Sequence, residues 1–202
     1  PFMAKDANGA GMIWNTPFSQ FVRTELTLGK TWVFGRNGRQ SIATRLLGGV
    51  GFAYGNSSAL PFGKHFYAGG SSSLRGWLSL RDTSFVIPNQ TGDVKLEANI
   101  EYRFDMFWKF AGAVFVDAGN IWTLEETSDD ANYSSRFAWN TFGKSIAANW
   151  GLGLRLDFGF LLLRVDMGMK IHDPARVQKW VTPDMWLKRD GFAVHFGVGY
   201  PF

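Results

Sequence analysis

Apolar and polar residues alternate with a period of two along most of this 202-residue chain. The clearest run covers residues 94–104, where six apolar residues alternate with five polar or charged ones. Such alternation places the apolar groups on one face of a β-strand and the polar groups on the other. A shift of one residue would bury the charges, so the same pattern also fixes the pairing register of this strand.

The same period recurs along the chain and predicts seven strands. They are residues 18–34, 40–54, 94–104, 110–119, 146–158, 160–170 and 192–202. In the last one, Phe192, Val194, Phe196, Val198, Tyr200 and Phe202 are predicted to share one face. Strands of about ten residues or more exceed the usual length in globular sheets and suit a tilted crossing of a membrane.

The connections between these strands are predicted to alternate between short and long. Residues 36–39, 105–109 and 158–159 form the short ones, and Asn37-Gly38 is the signal of a two-residue hairpin. The long segments are residues 1–16, 55–93, 120–145 and 171–190, and all fall on the same end of an up-and-down meander. Short turns at one end and long loops at the other are typical of outer-membrane barrels.

Glycine favours a membrane barrel over a soluble barrel with an apolar interior. The predicted polar face mixes paired charges with glycines, which suits a lumen lining where another segment of backbone approaches closely. These glycines are Gly49, Gly51, Gly151, Gly153, Gly168, Gly197 and Gly199. Because an open seven-stranded sheet would leave unpaired edges in lipid, we expect the chain to be the C-terminal part of a larger barrel.

Composition limits the chemistry further. The chain has no cysteine, which excludes a disulfide framework, a thiolate metal site and a cysteine nucleophile. Its 21 basic and 17 acidic residues are interspersed, and this argues against a nucleic-acid partner. His65, His172 and His195 are scattered, with His195 interpreted as a wall residue of the lumen. No catalytic triad or phosphate-cradling loop is visible, so we expect no metal, no cofactor and no enzymatic activity.

One long loop carries an isolated arginine among small residues. The segment "FYAGGSSSLRGW", residues 66–77, precedes "LEANIEYRF" and then "VFVDAGNIW" on the next two predicted strands. Asp117 interrupts an apolar run, where an unpaired carboxylate would be costly, and Glu101 belongs to the charged face of its strand. A guanidinium could satisfy such carboxylates in a bidentate geometry that lysine cannot copy.

These motifs, in this order and followed by a strand that ends in Phe202, resemble the C-terminal barrel of the BamA/TamA-type outer-membrane assembly factors, the bacterial surface antigen family. The resemblance covers most of the chain, residues 40–202. It implies an all-β, antiparallel, up-and-down transmembrane β-barrel of sixteen strands, of which this chain supplies the C-terminal seven. The earlier strands and the periplasmic domains would then lie outside this chain.

The resemblance also implies that the 55–93 loop folds back into the lumen, where Arg75 meets Glu101 and Asp117 on the wall. Gly69, Gly70 and Gly76 are then interpreted as small residues that let the loop pass through a confined space.

The acidic partner of Arg75 depends on the strand register. A tight turn around Met106 and Phe107 would set Glu97 or Asn99, rather than Glu101, across from Asp117. Glu97 is therefore the alternative loop partner.

By the same resemblance, the last strand, residues 191–202, pairs weakly with the first strand of the barrel. This seam would open so that an incoming protein adds its own strand by edge pairing. The candidate seam residues are Phe196, Val198, Gly199, Tyr200 and Phe202, and Pro201 next to them cannot donate a backbone hydrogen bond. The open alternative is that these aromatics form only an assembly signal and interface girdle.

The implied function is insertion or translocation of other proteins at the bacterial outer membrane, without an enzymatic step. Its implied partners are unfolded outer-membrane or secreted clients, membrane lipid, and periplasmic or lipoprotein accessory subunits. Two alternatives stay open: a passive channel or porin, which would not need the Arg75 loop, and a soluble β-sheet binding module. Two departures from the family pattern are Trp77, where Phe or Tyr is common, and the Pro201-Phe202 ending.

Overall fold

The computed structural model describes residues 4–5, 11–14, 16–78, 91–125, 136–188 and 190–202. In chain order its elements are β1 (Ala4–Lys5), β2 (Gly11–Ile13), β3 (Thr16–Pro17), β4 (Phe21–Phe34), β5 (Gln40–Ala53), β6 (Phe66–Tyr67), β7 (Thr91–Gly92), β8 (Val94–Asp105), β9 (Phe110–Trp122), α1 (Phe142–Ser145), β10 (Ala147–Asp157), β11 (Leu162–His172), α2 (Pro183–Trp186) and β12 (Phe192–Val198). Across these ranges, no helix is both long and apolar enough to span a membrane.

Seven of the strands form one antiparallel sheet in the order β4-β5-β8-β9-β10-β11-β12. Each of these seven strands pairs with the next of the seven along the chain, so the sheet is an up-and-down meander. The short strands β1–β3 and β6–β7 form two separate small sheets. The predicted fold class and number of strands are confirmed, and apart from the end of the closing strand the bounds lie within three residues of the predicted ones. Among the described residues the sheet stays open, with β4 and β12 at its edges.

The two faces of this sheet have opposite chemistry. Its outer face is apolar and exposed, with side chains that include Leu26, Leu28, Leu46, Ile100, Val114, Val116, Leu152, Leu154, Val194, Phe196 and Val198. Its inner face is polar and is covered by the loop that joins β5 to β8. A sheet in water shows the reverse arrangement, so lipid is the medium that fits the outer face and the soluble alternative is disfavoured.

Glycines on the inner face leave room for the covering loop, as the sequence predicted. A Cβ atom on Gly49 would collide with the ring of Phe66, and one on Gly51 would lie 2.9 Å from a methyl group of Leu60. At the loop end of the barrel, the cluster of buried apolar side chains consists of Phe66, Ala68, Leu74, Trp77, Ile121 and Ala147. The apolar core of this part therefore lies between the loop and the inner wall.

The first turn is longer than predicted. Phe34 pairs with Gln40, so residues 35–39 form a five-residue loop around a 3-10 turn. The positive φ angles are at Gly35 (80°) and Gly38 (69°). A two-residue type I′ hairpin needs positive φ at two adjacent central residues, and these two glycines are three positions apart. The two-residue prediction for Asn37-Gly38 was therefore wrong.

The closing strand is shorter than predicted. It ends at Val198, and Gly199 adopts a φ of 78°, which turns the chain out of the strand. Phe202 reaches the inner face, where Arg103 Nη2 donates to its carbonyl oxygen at 3.2 Å and the Arg45 guanidinium lies 5.0 Å from its ring centroid. The prediction that Tyr200 and Phe202 share one face with Phe196 and Val198 was wrong, because left-handed backbone at Gly199 breaks the alternation.

Candidate functional site

A compact turn in the β5–β8 loop presents Arg75. Gly69 and Gly70 adopt φ angles of 88° and 91°, which side chains other than glycine rarely take. The Gly70 amide donates to the Trp77 carbonyl at 2.8 Å and closes the turn. Leu74 and Trp77, on either side of Arg75, are fully buried in the apolar cluster. The loop is thus anchored by apolar packing, and Arg75 points at the wall.

Asp117 on β9 binds Arg75 in a bidentate geometry. Arg75 Nε donates to Asp117 Oδ2 at 3.0 Å, Nη2 donates to Oδ1 at 2.9 Å, and the Arg75 amide donates to Oδ2 at 3.2 Å. The amide groups of Asn99 and Asn149 each donate to the same carboxylate at 3.0 Å. Asp117 is fully buried, and these five donors compensate for the loss of its hydration.

Glu101 on β8 holds the other side of the guanidinium. Arg75 Nη1 donates to Glu101, which also accepts from Arg103 Nε at 2.8 Å and from Arg155 Nη2 at 3.2 Å. Arg155 in turn donates to Asp166 on β11, whose nearest oxygen lies 3.9 Å from Arg75 Nη1. The contacts therefore alternate in charge from Asp117 through Arg75, Glu101 and Arg155 to Asp166, and they link the loop to four neighbouring strands.

The register brings Asn99, and not Glu101, directly across from Asp117. Arg75 still reaches both acids, because Glu101 lies two positions from Asn99 on the same face and the guanidinium fork spans the gap. Glu97 pairs in register with Gly119 and accepts hydrogen bonds from Ser73 and Arg45. The structure therefore places Glu97 against the stem of the loop and Glu101 against its arginine.

Wall side chains also bind the carbonyl groups of the serine stretch. Arg164 Nη1 donates to Ser71 O at 2.8 Å, and Arg45 Nη2 donates to Ser72 O at 2.7 Å. Asn99 Nδ2 donates to Ser73 O at 3.2 Å. Small side chains leave these carbonyl groups accessible, so the wall recognises the backbone path of the loop as well as Arg75.

Several contacts of the loop were not predicted from the sequence. Phe115 stacks under Arg75, with the guanidinium carbon 3.4 Å from the ring centroid. His195 Nε2 on β12 lies 3.1 Å from the Arg75 carbonyl oxygen, and a Cβ atom on Gly168 would collide with that same carbonyl group. The period of two assigned Gly168 and His195 to the polar face, but it carries no information on which loop atom they meet.

Position 76 has no room for a side chain, so glycine is required there. A Cβ atom at this position would lie 2.8 Å from the Cβ atom of Asn149, closer than real Cβ atoms approach. Gly76 therefore lets the loop pack directly on β10 beside Asp117. Within the described ranges, no group of three or more His, Cys, Asp or Glu side chains is placed to hold a metal ion.

The predicted seam residues do not come together as one outward row. Phe196 and Val198 are exposed on the outer face of β12, and Gly199 ends that strand. Tyr200 and Phe202 both pack against Arg103, at 4.2 Å and 5.8 Å from its guanidinium carbon to the ring centroids. The final residues are therefore divided between the outer face and the charged inner face.

Comparison with known proteins gives a family for this arrangement. Residues 9–202 match the model of the Omp85 superfamily domain, and the chain belongs to that superfamily. No curated protein matches the chain as a relative. BamA from Haemophilus ducreyi lacking POTRA domains 1–3 is similar in structure, with a TM-score of 0.63 and 15% identity over 89% of this chain and 35% of that one.

CdiB from Acinetobacter baumannii also matches, with a TM-score of 0.48 and 17% identity over 89% of this chain and 27% of that one. The chain thus spans about a third of the length of the BamA chain and about a quarter of the CdiB chain. At these identities the likeness concerns the fold. Together with the exposed apolar outer face, the family places the chain in the bacterial outer membrane.

Proposed function

We propose that this Omp85-superfamily chain is part of an outer-membrane factor that inserts or translocates other proteins, and that the Arg75 loop locks the inside of its barrel. The observation that carries the proposal is the complete burial of Arg75 between Asp117 and Glu101. A passive pore gains nothing from filling its lumen with a loop held by paired buried charges. A machine that must keep one lumen conformation until a client arrives does gain from it.

The last strand is the second part of the proposal. β12 is an edge strand among the described residues, and its inward turn at Gly199 shortens the length over which it can pair. A client could add its own strand at such an edge through backbone hydrogen bonds. His195 on β12 contacts the Arg75 carbonyl oxygen, so the lock and the edge strand touch directly. Unfolded outer-membrane or secreted proteins would be the clients, and their folding would supply the energy without an enzymatic step.

We further propose that the chain is the C-terminal part of a sixteen-stranded barrel with periplasmic domains before it. Two open edges support this proposal, because unpaired backbone groups are costly in lipid. Two features of BamA also support it: this chain covers only 35% of the BamA chain, and BamA has POTRA domains. A polypeptide of these 202 residues alone that forms a closed, heat-modifiable monomer would contradict it.

The lock is tested with Arg75 variants of the complete protein. We expect Arg75→Ala to lose client assembly in cells depleted of the wild-type protein, and Arg75→Lys to restore little, because an ammonium group cannot reproduce the bidentate contact. Arg36→Ala is the matched control, since Arg36 is an exposed arginine in the turn between β4 and β5. Folded client barrels in the membrane fraction are the readout.

The position of the loop is measured in the same preparations. Cysteines at positions 75 and 117 are expected to form a disulfide in intact membranes, whereas free labelling of position 75 by a bulky external reagent would contradict the lumenal lock. Normal client assembly by Arg75→Ala, together with an ion conductance that does not respond to the substitution, would favour a passive channel instead.

A further inference from the structure

The Arg75 loop follows β11 beyond the lock itself. The Arg75 carbonyl group fills the space beside Gly168, where a Cβ atom would collide with it. Two residues further along each segment, the ring of Trp77 lies 5.1 Å from Lys170 Nζ. Gly168 and Lys170 belong to the same face of β11, because alternate residues of a strand share a face. The contact between loop and strand therefore runs from the lock toward the end of the barrel that carries the long loops.

Lys170 is a buried cation on this path. Its exposed fraction is 1%, and Trp77 is fully buried. An ammonium group removed from water requires charged or electron-rich groups around it. Lys170 Nζ donates to Asp173 Oδ2 at 3.3 Å, and it lies over the indole of Trp77, the aromatic ring that attracts a cation most strongly. Lys170 thus connects the Arg75 loop with a residue just beyond the end of β11.

Asp173 organises the start of the β11–β12 loop, residues 173–191. Its carboxylate is fully buried and accepts from Arg176 Nε at 3.3 Å as well as from Lys170 Nζ. The Lys170 amide donates to the Gly191 carbonyl at 2.9 Å, so it closes the base of the same loop. Lys170 therefore holds the β11–β12 loop with its backbone and with its side chain.

Trp77 is also a position at which this chain departs from the family pattern, where Phe or Tyr is common. Either of those rings would attract the Lys170 ammonium group less strongly than an indole does. The contact between Trp77 and Lys170 is therefore a feature of this chain's own residues, in addition to the pairing of Arg75 with its acids.

We infer that Lys170 is a positioning residue that couples the Arg75 lock to the β11–β12 loop, so that the two loops loosen and tighten together. Coupling between two sites acts equally in both directions, and disturbing either loop is expected to loosen the other. The inference rests on the proposed lock, but its test observes the two loops directly and does not use client assembly.

The test follows amide hydrogen exchange in the complete protein, reconstituted in lipid vesicles. Lys170→Met removes the cation and keeps a side chain of similar length, and we expect exchange in residues 173–191 to become about tenfold faster or more. Trp77→Phe keeps a buried ring with a weaker attraction for the cation, and we expect exchange there to become about threefold faster.

Two control variants match these changes in residue type. Lys188→Met removes a lysine of the same loop whose ion pair with Asp184 is exposed, and Trp139→Phe changes an exposed tryptophan of the β9–β10 loop. Neither control is expected to alter exchange in the β11–β12 loop by more than about twofold, because exposed pairs and exposed rings contribute little.

The reverse direction is measured with Asp173→Asn. The Gly70 amide donates to the Trp77 carbonyl and the Trp77 amide donates to the Leu74 carbonyl, so these two amides report on the Arg75 loop. We expect Asp173→Asn to make their exchange about threefold faster or more. Unchanged exchange of both amides, with a loosened β11–β12 loop, would overturn the inference.

A double variant separates coupling from packing. With Lys170→Met already in place, Trp77→Phe is expected to add nothing to the exchange of the β11–β12 loop. If Trp77 acted through packing alone, it would add the same factor in both backgrounds, and that result would also overturn the inference. Neither result would change the expected client assembly of Arg75→Ala. Normal client assembly by Arg75→Ala would instead refute the proposed function and leave the exchange coupling in place.

Discussion

The two faces of the seven-stranded sheet are stabilised by different kinds of interaction. On the inner face the buried charged groups are held by specific hydrogen bonds, as Asp117 shows with five hydrogen-bond donors. On the outer face Leu152 at the middle of β10 is half-exposed and needs only an apolar surrounding. The inner face therefore depends on residue identity and geometry, and the outer face depends on hydrophobicity alone.

The largest expected effect comes from breaking the inner face at its centre. Asp117→Ala leaves the buried guanidinium of Arg75 without its bidentate partner, and we expect a loss of about 3–5 kcal/mol in the free energy of unfolding. Urea denaturation of the complete protein in lipid vesicles measures this loss. Asp184→Ala is the control, because Asp184 is an exposed acid in α2. Equal stabilities of the two variants would contradict the difference between the faces.

A smaller effect is expected from placing a charge on the outer face. Leu152→Arg puts a guanidinium at mid-strand toward lipid, and we expect it to cost about 2–4 kcal/mol. Leu152→Ile should cost far less, because the outer face requires an apolar residue without a defined contact. The same denaturation in vesicles compares both. A large loss in Leu152→Ile would mean that the outer face is as specific as the inner one.

The smallest effect sharpens the comparison at the contact between the loop and the last strand. His195→Leu removes the hydrogen bond to the Arg75 carbonyl oxygen, and we expect a loss of about 1 kcal/mol together with faster amide exchange in residues 192–198. His195→Gln retains a donor and should preserve the slow exchange. Unchanged exchange in His195→Leu would show that the loop does not support the edge strand.

Gly168 offers a separate way to disturb the same contact. Gly168→Ala pushes a methyl group against the Arg75 carbonyl and is expected to cost about 1–3 kcal/mol through overpacking. Gly143→Ala is the control, because a Cβ atom at Gly143 would meet open space. Gly159→Ala is unsuitable, because the positive φ of Gly159 would add backbone strain. Equal stability of Gly168→Ala and Gly143→Ala would mean that the loop can shift away at no cost.

Most of the sheet could be predicted from the sequence because alternation with a period of two is a local signal. Residues 94–104 carry that signal without interruption, and β8 follows them closely. The turn at residues 35–39 and the end of β12 could not be predicted in the same way. Both are set by glycines with positive φ, and glycine in a sequence does not state which φ it will adopt.

The candidate site divides along a similar line. The sequence could predict Arg75, Glu101 and Asp117 as site residues, because the loop and strand motifs resemble those of a known family. The sequence did not predict Asn149, Arg155 and Asp166 as site residues, although the alternation of apolar and polar residues assigns all three to the polar face of the sheet. Their meeting with Arg75 and its acids depends on the register and curvature of β10 and β11, and these are properties of the assembled sheet.

Arg155 donates both to Glu101 on β8 and to Asp166 on β11, so it ties together strands that do not pair with each other, in addition to the backbone pairing of neighbouring strands. Under a pulling force applied at one end of the chain, hairpins of an ordinary barrel leave the membrane one after another. With the arginines in place, β8 to β11 should come out in a single rupture, and Arg75→Ala should split that rupture into smaller steps.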